Sequence, residues 1–135
     1  MDTVSAEKRS NNMRRIRSKN TTPELRVRRL VYSMGYRYRL HYNKLPGKPD
    51  LVFIGRKKVI FVHGCFWHGH ICKKGQRKPK SNQSYWTTKI DSNKNRDLRT
   101  RTALIESGWN VLILWECELK NLPIVEHRIR NFLDV

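Results

Sequence analysis

The chain has 135 residues and a mass of 16.2 kDa, enough for one compact domain and too little for two. Its formal net charge of +18, together with a hydrophobic content of 38%, excludes a wholly disordered basic tail and favours a folded protein with a polyanionic partner. No apolar run reaches the ~18 residues of a membrane span, and the polar, basic start is unlike a signal peptide. We therefore expect a cytoplasmic protein that does not bind a membrane.

The first predicted elements are a basic arm and a helix. Residues 1–21 are rich in Lys, Arg, Ser and Asn and predict an arm outside the core, whereas residues 22–135 predict a single domain. The Thr-Pro-Glu sequence at 22–24 is typical of a helix start, with an N-cap, a first-turn proline and an early acid. Apolar residues at i, i+3, i+4 and i+7 continue the helix to a stop at Gly35.

Three short strands are predicted next. Residues 36–40 alternate aromatic or aliphatic residues with Arg, which predicts a half-exposed strand. A loop with two prolines and a glycine covers residues 45–49. Residues 51–54 and 59–62 are apolar, β-branched runs that predict a hairpin of buried strands.

The second half of the chain alternates helix and strand. Residues 63–84 are loop-rich, and residues 85–107 predict a helix that stops at Gly108. Residues 109–115 predict a buried strand, in which both tryptophans belong to the core, and residues 123–133 predict an amphipathic helix. The order α, β, β, β, α, β, α predicts an α/β fold with a mixed sheet flanked by helices.

Three cysteines indicate a metal site. Cys65 and Cys72 bracket a Gly-rich loop, and Cys117 follows the last strand, so one histidine would complete a closed Cys3His set typical of structural zinc. The alternative is that the cysteines are small buried hydrophobes, but the loop lacks apolar partners to bury them. Spacing alone leaves open whether His68 or His70 is the ligand.

Asp50 is the second candidate for chemistry. With a turn centred on residues 56–57, the hairpin places Asp50 opposite Val62 or His63. The forty residues that follow Asp50 contain no acid and many Lys and Arg, so the carboxylate is expected to stay ionised and to hold Mg²⁺ against phosphate. An Asx-turn is the alternative. The proximity of His63 and His68 to the end of the facing strand favours metal-assisted hydrolysis.

Aromatic residues beside lysines are the third signal. Phe66 and Trp67 lie in the Gly-rich loop, and Tyr85 and Trp86 follow a basic run at residues 73–80. Such rings can stack on bases or wedge between base steps. The alternative is that they form a wall that shields the zinc site from water.

Five motifs spread over nearly the whole chain carry a family resemblance. They are RSNNMR from residue 9, LPGKPD from residue 45, FVHGCFWH from residue 61, NRD from residue 95 and WEC from residue 115. The chain thereby resembles the very-short-patch-repair (Vsr-type) DNA mismatch endonucleases of bacteria. The resemblance implies a restriction-endonuclease-like fold and a Mg²⁺-dependent enzyme that nicks the thymine strand 5′ of T in T:G mismatches arising from 5-methylcytosine deamination.

The resemblance also implies a role for particular residues. It makes Asp50 and the main-chain carbonyl of Val62 the Mg²⁺ ligands, and it gives the catalytic residues as Asp50, His68, His63, Asp97 and Glu24. In this set Asp97 supports His68, while His63 and Glu24 either lie in the outer shell of the metal site or orient water. The implied ligands of structural Zn²⁺ are Cys65, His70, Cys72 and Cys117, and the implied DNA contacts are Met13, Phe66, Trp67 and Trp86.

The partners follow from the same resemblance. We expect a monomer that acts on double-stranded DNA with a T:G mismatch in the bacterial cytoplasm, at the nucleoid, with mismatch-repair proteins and a cognate cytosine-5 methyltransferase as further partners. One alternative is a restriction-type or junction-cleaving nuclease of the same fold. Another is a non-catalytic zinc-containing DNA-binding module, which would leave the pairing of Asp50 with the histidines unexplained.

Overall fold

A computed structural model describes residues 21–72 and 83–134. Its helices and strands are α1 (Thr22–Ser33), β1 (Leu51–Phe53), β2 (Lys58–His63), α2 (Gln83–Glu106), β3 (Asn110–Trp115) and α3 (Leu122–Leu133). The arm predicted at 1–21, with Met13, lies outside the described residues apart from Thr21, and so does the basic run at 73–80. The division into arm and domain therefore stays a prediction.

The described strands form a mixed sheet, as predicted, with three strands in the order β1-β2-β3 instead of the four expected. The central strand β2 runs antiparallel to β1 and parallel to β3. Helices α1 and α3 cover one face of the sheet, where Val27 and Ile129 pack with Ile60. Helix α2 covers the other face, where Leu104 packs with Phe61, because successive side chains of a strand point to opposite faces. None of the described helices is both long and apolar enough to cross a membrane.

Two local predictions near α1 are wrong. The N-cap is Thr21 rather than Thr22, since the Thr21 hydroxyl accepts from the N–H of Glu24. Residues 36–40 do not form a strand, because only Arg39 exchanges backbone hydrogen bonds with Val52, at 2.9 and 3.0 Å. Two residues later His41 takes a left-handed φ of 53°, which turns the chain away from the sheet edge.

The hairpin turn is centred one residue earlier than predicted, which moves the cross-strand partner of Asp50 to Phe61. Ile54–Arg56 forms a single 3₁₀ turn that closes with a left-handed Lys57, so the turn is centred earlier than residues 56–57. Leu51 consequently lies opposite Ile60, and the backbone N–H of Asp50 donates to the Ile60 carbonyl at 3.1 Å. The backbone of Asp50 therefore does not face Val62 or His63, although its side chain reaches Val62.

The last strand was predicted to be buried, and most of it is only half-buried. Leu114 is the fully buried residue of β3, because this strand has β2 on one side alone among the described residues. A 3₁₀ turn at Glu116–Lys120 follows, which the sequence did not predict. This turn folds Cys117 back toward the loop after β2, where its N–H donates to the Cys65 Sγ at 3.4 Å.

Candidate active site and metal centre

The candidate residues lie at one end of the sheet, where β2 and β3 finish. His63 at the end of β2 is the register partner of Trp115 at the end of β3, and antiparallel pairing brings Asp50, before β1, to the same end. The loop before Asp50 packs tightly on α2, because a Cβ at Gly47 would lie 2.1 Å from the Thr100 Cγ2. Gly47 also has a φ of +76°, so glycine is needed on both counts for this close approach.

Asp50 lies between a backbone donor and a second acid. Its Oδ2 accepts from the N–H of Val62 at 2.6 Å. Burial, followed by the negative charge of Glu24, raises the pKa of Asp50 to about 8, and a hydrogen bond between the two carboxyl groups acts in the same direction. The expectation that this carboxylate stays ionised is therefore wrong for the site without a cation, because the sequence did not show that Glu24 lies against Asp50. Glu24 is itself only 4% exposed and accepts from Arg28 at 3.2 Å. A buried and a half-buried carboxyl group in contact could hold a divalent cation, which would offset their mutual repulsion.

A histidine pair lies beside this acidic site. The rings of His63 and His68 are stacked, with centroids 3.8 Å apart and an interplanar angle of 4°. Asp97 on α2 lies with its Oδ2 2.5 Å from the Nδ1 of His68, so the carboxylate accepts from Nδ1–H and leaves the Nε2 of His68 for another partner. Burial, followed by the charge of His68, lowers the pKa of His63 to about 4, so this ring is neutral at neutral pH.

The predicted catalytic residues form two adjoining groups. Asp50 contacts Glu24 and the backbone of Val62, and ligand atoms of His63, His68 and Asp97 all lie within 4.8 Å of one another. The groups are neighbours because Val62 and His63 are consecutive on β2. The carboxyl pair and the histidine group thus lie at the same end of the sheet.

The four predicted zinc ligands lie together. One ligand atom from each of Cys65, His70, Cys72 and Cys117 falls within 4.8 Å of the others, and the Cys117 Sγ is 3.5 Å from the His70 Nδ1. A tetrahedral metal with Zn–S bonds of ~2.3 Å holds its sulfurs about 3.8 Å apart, which this spacing accommodates. Burial raises the pKa of the Cys65 thiol to about 12 and also raises that of Cys117. A cation is therefore needed to hold these sulfurs as thiolates, and the donor set suits a structural metal ion.

The predicted DNA-contacting aromatics form a cluster beside the active site. Phe66, Trp67 and Trp86 contact one another with centroids 5.2 to 5.5 Å apart, and Tyr85 extends the cluster at its exposed edge. The three rings are half-buried. Next to them, hydroxyl, amide and basic side chains of α2 line a groove of about 600 Å³. These residues are Ser84, Tyr85, Thr88, Lys89, Ser92, Asn93, Arg96 and Arg99.

Sequence reasoning missed two residues of this region. Asn93 donates to the Trp67 carbonyl at 2.8 Å, and its position one turn before Asp97 on α2 was a signal that it faces the site. Trp115 was interpreted as core, yet it is half-buried and its indole stacks on His70 at 4.2 Å between centroids. No sequence pattern distinguishes Trp115 from a core tryptophan, because its neighbours come from other elements.

Acids and imidazoles at one end of the sheet, with basic side chains of α2 and aromatic rings nearby, fit a nuclease that acts on DNA. Among solved structures, the homing endonuclease I-Bth0305I catalytic domain is similar, with a TM-score of 0.59 and 25% identity over 84% of this chain and 94% of that chain. Residues 1–74 match the model of the family described as DNA mismatch endonuclease Vsr. The chain belongs to the Vsr family, and the resemblance inferred from its motifs is confirmed.

Named relatives support the same assignment. The type II nicking enzyme V.XorIIP of Xanthomonas oryzae pv. oryzae is 53% identical over 98% of this chain and 97% of its own length. The type II nicking enzyme V.NmeAIP of Neisseria meningitidis is 44% identical over 98% of this chain and 94% of its own length. The DNA mismatch endonuclease Vsr of Escherichia coli is 43% identical over 83% of this chain and 71% of its own length.

Proposed function

We propose that this DNA endonuclease nicks the thymine strand of T:G mismatches on the 5′ side of T, in duplexes where 5-methylcytosine has been deaminated. The observation that carries the proposal is the convergence of Asp50 with Glu24, and of His68 with Asp97, at one sheet edge of a Vsr-family chain. The aromatic cluster beside that edge supports recognition of a weakened base pair. A non-catalytic DNA-binding module would have no need for the paired acids and histidines.

Asp50 and the main-chain carbonyl of Val62 are the proposed Mg²⁺ ligands. The N–H of Val62 points to Asp50, and the N–H and C=O of one strand residue point to the same side, so this carbonyl is also directed to the acidic site. When bound, Mg²⁺ activates water and stabilises charge on a phosphoryl oxygen. Glu24 is the proposed water-orienting acid, because it is buried against Asp50 and fixed by Arg28.

His68 is the proposed proton-transfer group. Asp97 fixes its tautomer by accepting from Nδ1–H, which leaves Nε2 to exchange a proton with water or with the leaving oxygen. His63 is neutral at the pH of catalysis and lies flat on His68, so it supports the ring without competing for the proton. An imidazole oriented by a carboxylate is a common arrangement for proton transfer in enzymes.

The remaining assignments concern structure and DNA binding. Cys65, His70, Cys72 and Cys117 are the proposed ligands of a structural Zn²⁺ that fixes the loop after β2. Phe66, Trp67 and Trp86 are proposed to insert beside the mismatch. We further propose that Met13 and the basic arm bind the minor groove. The monomeric state, the cytoplasmic location and the repair-protein and methyltransferase partners stay predictions.

A nicking assay on a panel of duplexes tests the proposal. Each duplex carries a different label on each strand and contains T:G, another mismatch or matched C:G at one position, and each is incubated with and without Mg²⁺. We expect one cut, 5′ of the mismatched thymine, only with the metal and far faster than in the C:G duplex. Double-strand cleavage of the matched duplex would instead indicate a restriction-type nuclease. Binding of every duplex without any cut would indicate a binding module.

A further inference from the structure

Trp115 contacts rings from two neighbouring sites. The first is the set of four predicted zinc ligands, Cys65, His70, Cys72 and Cys117, called the metal cluster below. The second is the histidine pair, His63 and His68. The indole of Trp115 stacks on His70, with centroids 4.2 Å apart and an interplanar angle of 18°. The same indole meets His63 edge-on at 5.1 Å and His68 edge-on at 6.2 Å. His63 in turn lies flat on His68. A continuous set of ring contacts therefore runs from the metal cluster to the proposed proton-transfer group.

The position of Trp115 is itself fixed by several contacts. Its backbone N–H donates to the Glu118 Oε1 at 3.0 Å, and Glu118 pairs with Arg128 of α3. Two residues further along, the N–H of Cys117 donates to the Cys65 Sγ. The end of β3 is thus held on one side by α3 and on the other by the metal cluster, so Trp115 is a rigid surface for the rings that contact it.

The histidine rings need such a surface because hydrogen bonds do not fully define their planes. The Nδ1 of His63 is buried and has no hydrogen-bond partner within the described residues. The packing of His63 between Trp115 and His68, with Phe61 at 5.7 Å, is therefore what sets its orientation. His68 is bonded to Asp97 through one atom, which leaves rotation about that bond to be restricted by ring contacts.

We propose that Trp115 is a positioning residue, which transmits the order of the metal cluster, through His70, to the ring planes of His63 and His68. The proposal rests on the proposed function in one respect, that His68 transfers a proton during the cut. This role requires no contact between Trp115 and DNA, so the residue is expected to affect the rate of the cut and not the affinity for the duplex.

The first test replaces the indole and measures single-turnover nicking of a T:G duplex together with its dissociation constant. We expect Trp115→Leu to lower the rate roughly 10- to 100-fold, since a misplacement of about 1 Å can cost ~10²-fold, while the dissociation constant changes less than about 3-fold. Trp115→Phe keeps a flat ring and should restore most of the rate. The matched control is Trp109→Leu at the opposite end of β3, which should leave the rate nearly unchanged. An unchanged rate in Trp115→Leu, or an equal loss in Trp109→Leu, would overturn the proposal.

A double-mutant cycle separates positioning from general destabilisation. If Trp115 acts through His68, then Trp115→Leu should cause no further loss of rate when His68 is already alanine. Losses that multiply would show that Trp115 acts independently of His68, against the proposal. If Trp115→Leu does not fold, Trp115→Met fills much of the same volume without a flat ring and takes its place in the cycle.

Two spectroscopic measurements do not depend on nicking. The ring ¹⁵N shifts of His63 and His68, which respond to tautomer and hydrogen bonding far more than to a neighbouring ring current, should change in Trp115→Leu and stay in place in Trp109→Leu. The absorption bands of protein loaded with Co²⁺ should also change only in Trp115→Leu, because His70 loses its stacking partner. If the wild type does not nick T:G and these shifts occur, the proposed function fails and the role of Trp115 stands. Absence of both shifts, with normal nicking by the wild type, would end the Trp115 proposal alone.

Discussion

The metal cluster and the active site lie at the same end of the sheet but hold different kinds of ligand atom. Cys65, His70, Cys72 and Cys117 offer three sulfurs and one imidazole, a complete set for a tetrahedral metal. The acidic site offers carboxylate and carbonyl oxygens, which suit a hard cation that keeps some positions for water and phosphate. The four Cys and His residues form the closed set, in which protein atoms fill every position of a tetrahedral metal, and this suits stability. The acids and histidines of the active site form the open set, which keeps metal positions for water and phosphate, and this suits chemistry.

The two sets also differ in how the chain supplies them. Three of the four Cys and His residues come from the eight residues between Cys65 and Cys72, so the 3₁₀ turn after β3 needs only to add Cys117. The active site draws Glu24 from α1, Asp50 from the loop before β1, and its histidines and Asp97 from the end of β2, the following loop and α2. The closed set should therefore govern folding, and damage to the open set should leave folding intact.

Loss of one closed-set ligand should have the largest effect. Cys117→Ser is expected to lose zinc and to unfold, because structural zinc contributes ~10 to 16 kcal/mol in small domains, which exceeds or matches a typical stability of about 5 to 15 kcal/mol. Elemental analysis and thermal unfolding measure the two effects. The control is Lys120→Ala, an exposed residue of the same 3₁₀ turn, which should keep both zinc and fold. A folded Cys117→Ser protein without metal would show that the cluster does not govern folding.

Removing the negative charge of Asp50 should lower the nicking rate and leave folding unchanged. Asp50→Asn keeps an oxygen that can accept from the Val62 N–H but removes the anionic metal ligand, so we expect nicking to fall by ~10³-fold or more. DNA binding, zinc content and thermal stability should stay close to those of the wild type. Asp91→Asn, at an exposed position of α2, is the matched control. Wild-type nicking by Asp50→Asn would remove Asp50 from the chemistry.

The comparison also shows what the sequence could and could not reveal about the fold. Hydrophobic period and capping residues predicted α1, α2, α3 and the buried hairpin, because these signals are local. The strand predicted at 36–40 failed because alternation within a segment does not show whether a partner strand runs beside it, and only Arg39 pairs, with Val52. The predicted turn was misplaced by one residue, and the register with it, because the 3₁₀ geometry of Ile54–Arg56 has no distinct sequence signature.

The two sites could also be predicted from the sequence to different extents. Residue spacing alone suggested a Cys3His set, and it left the choice between His68 and His70 to the family resemblance. The geometry brings His70 to the cysteines and His68 to Asp97, while the metal roles stay predictions. The contact of Glu24 with Asp50 spans elements that are distant in sequence, so spacing could not predict it, and only the family resemblance placed both residues in one active site. The role of Trp115 was hidden for the same reason.

A smaller effect is expected for Asp97, which orients His68 through a single hydrogen bond. Asp97→Asn removes the charge that favours the Nδ1–H tautomer of His68, and its amide can stabilise the wrong tautomer instead. We expect a loss of roughly 10²-fold in the single-turnover rate, with DNA affinity and zinc content unchanged. Ring ¹⁵N shifts of His68 report the tautomer directly. A normal rate together with a changed tautomer would show that His68 does not transfer the proton.

The smallest effect is expected for Trp67. Its replacement tests whether the cluster of Phe66, Trp67 and Trp86 contacts DNA beside the active site or shields the closed set from water. The ring of Trp67 contacts Phe66 and Trp86, whereas the indole that stacks on a metal-cluster residue is that of Trp115. Trp67→Ala should therefore keep zinc and fold. Base stacking on an aromatic ring contributes about 1 to 3 kcal/mol, so the preference for T:G over C:G should fall roughly 10-fold.

Two measurements decide this last prediction. Competition between T:G and C:G duplexes gives the preference, and elemental analysis with thermal unfolding gives the state of the closed set. Tyr32→Ala removes another exposed aromatic ring, on α1 and away from the cluster, and should alter none of these quantities. Loss of zinc or of folding in Trp67→Ala would place the ring in a wall around the metal. An unchanged preference in a folded, zinc-loaded variant would mean that Trp67 does not read the mismatch, and the search for the wedge would move to Phe66 and Trp86.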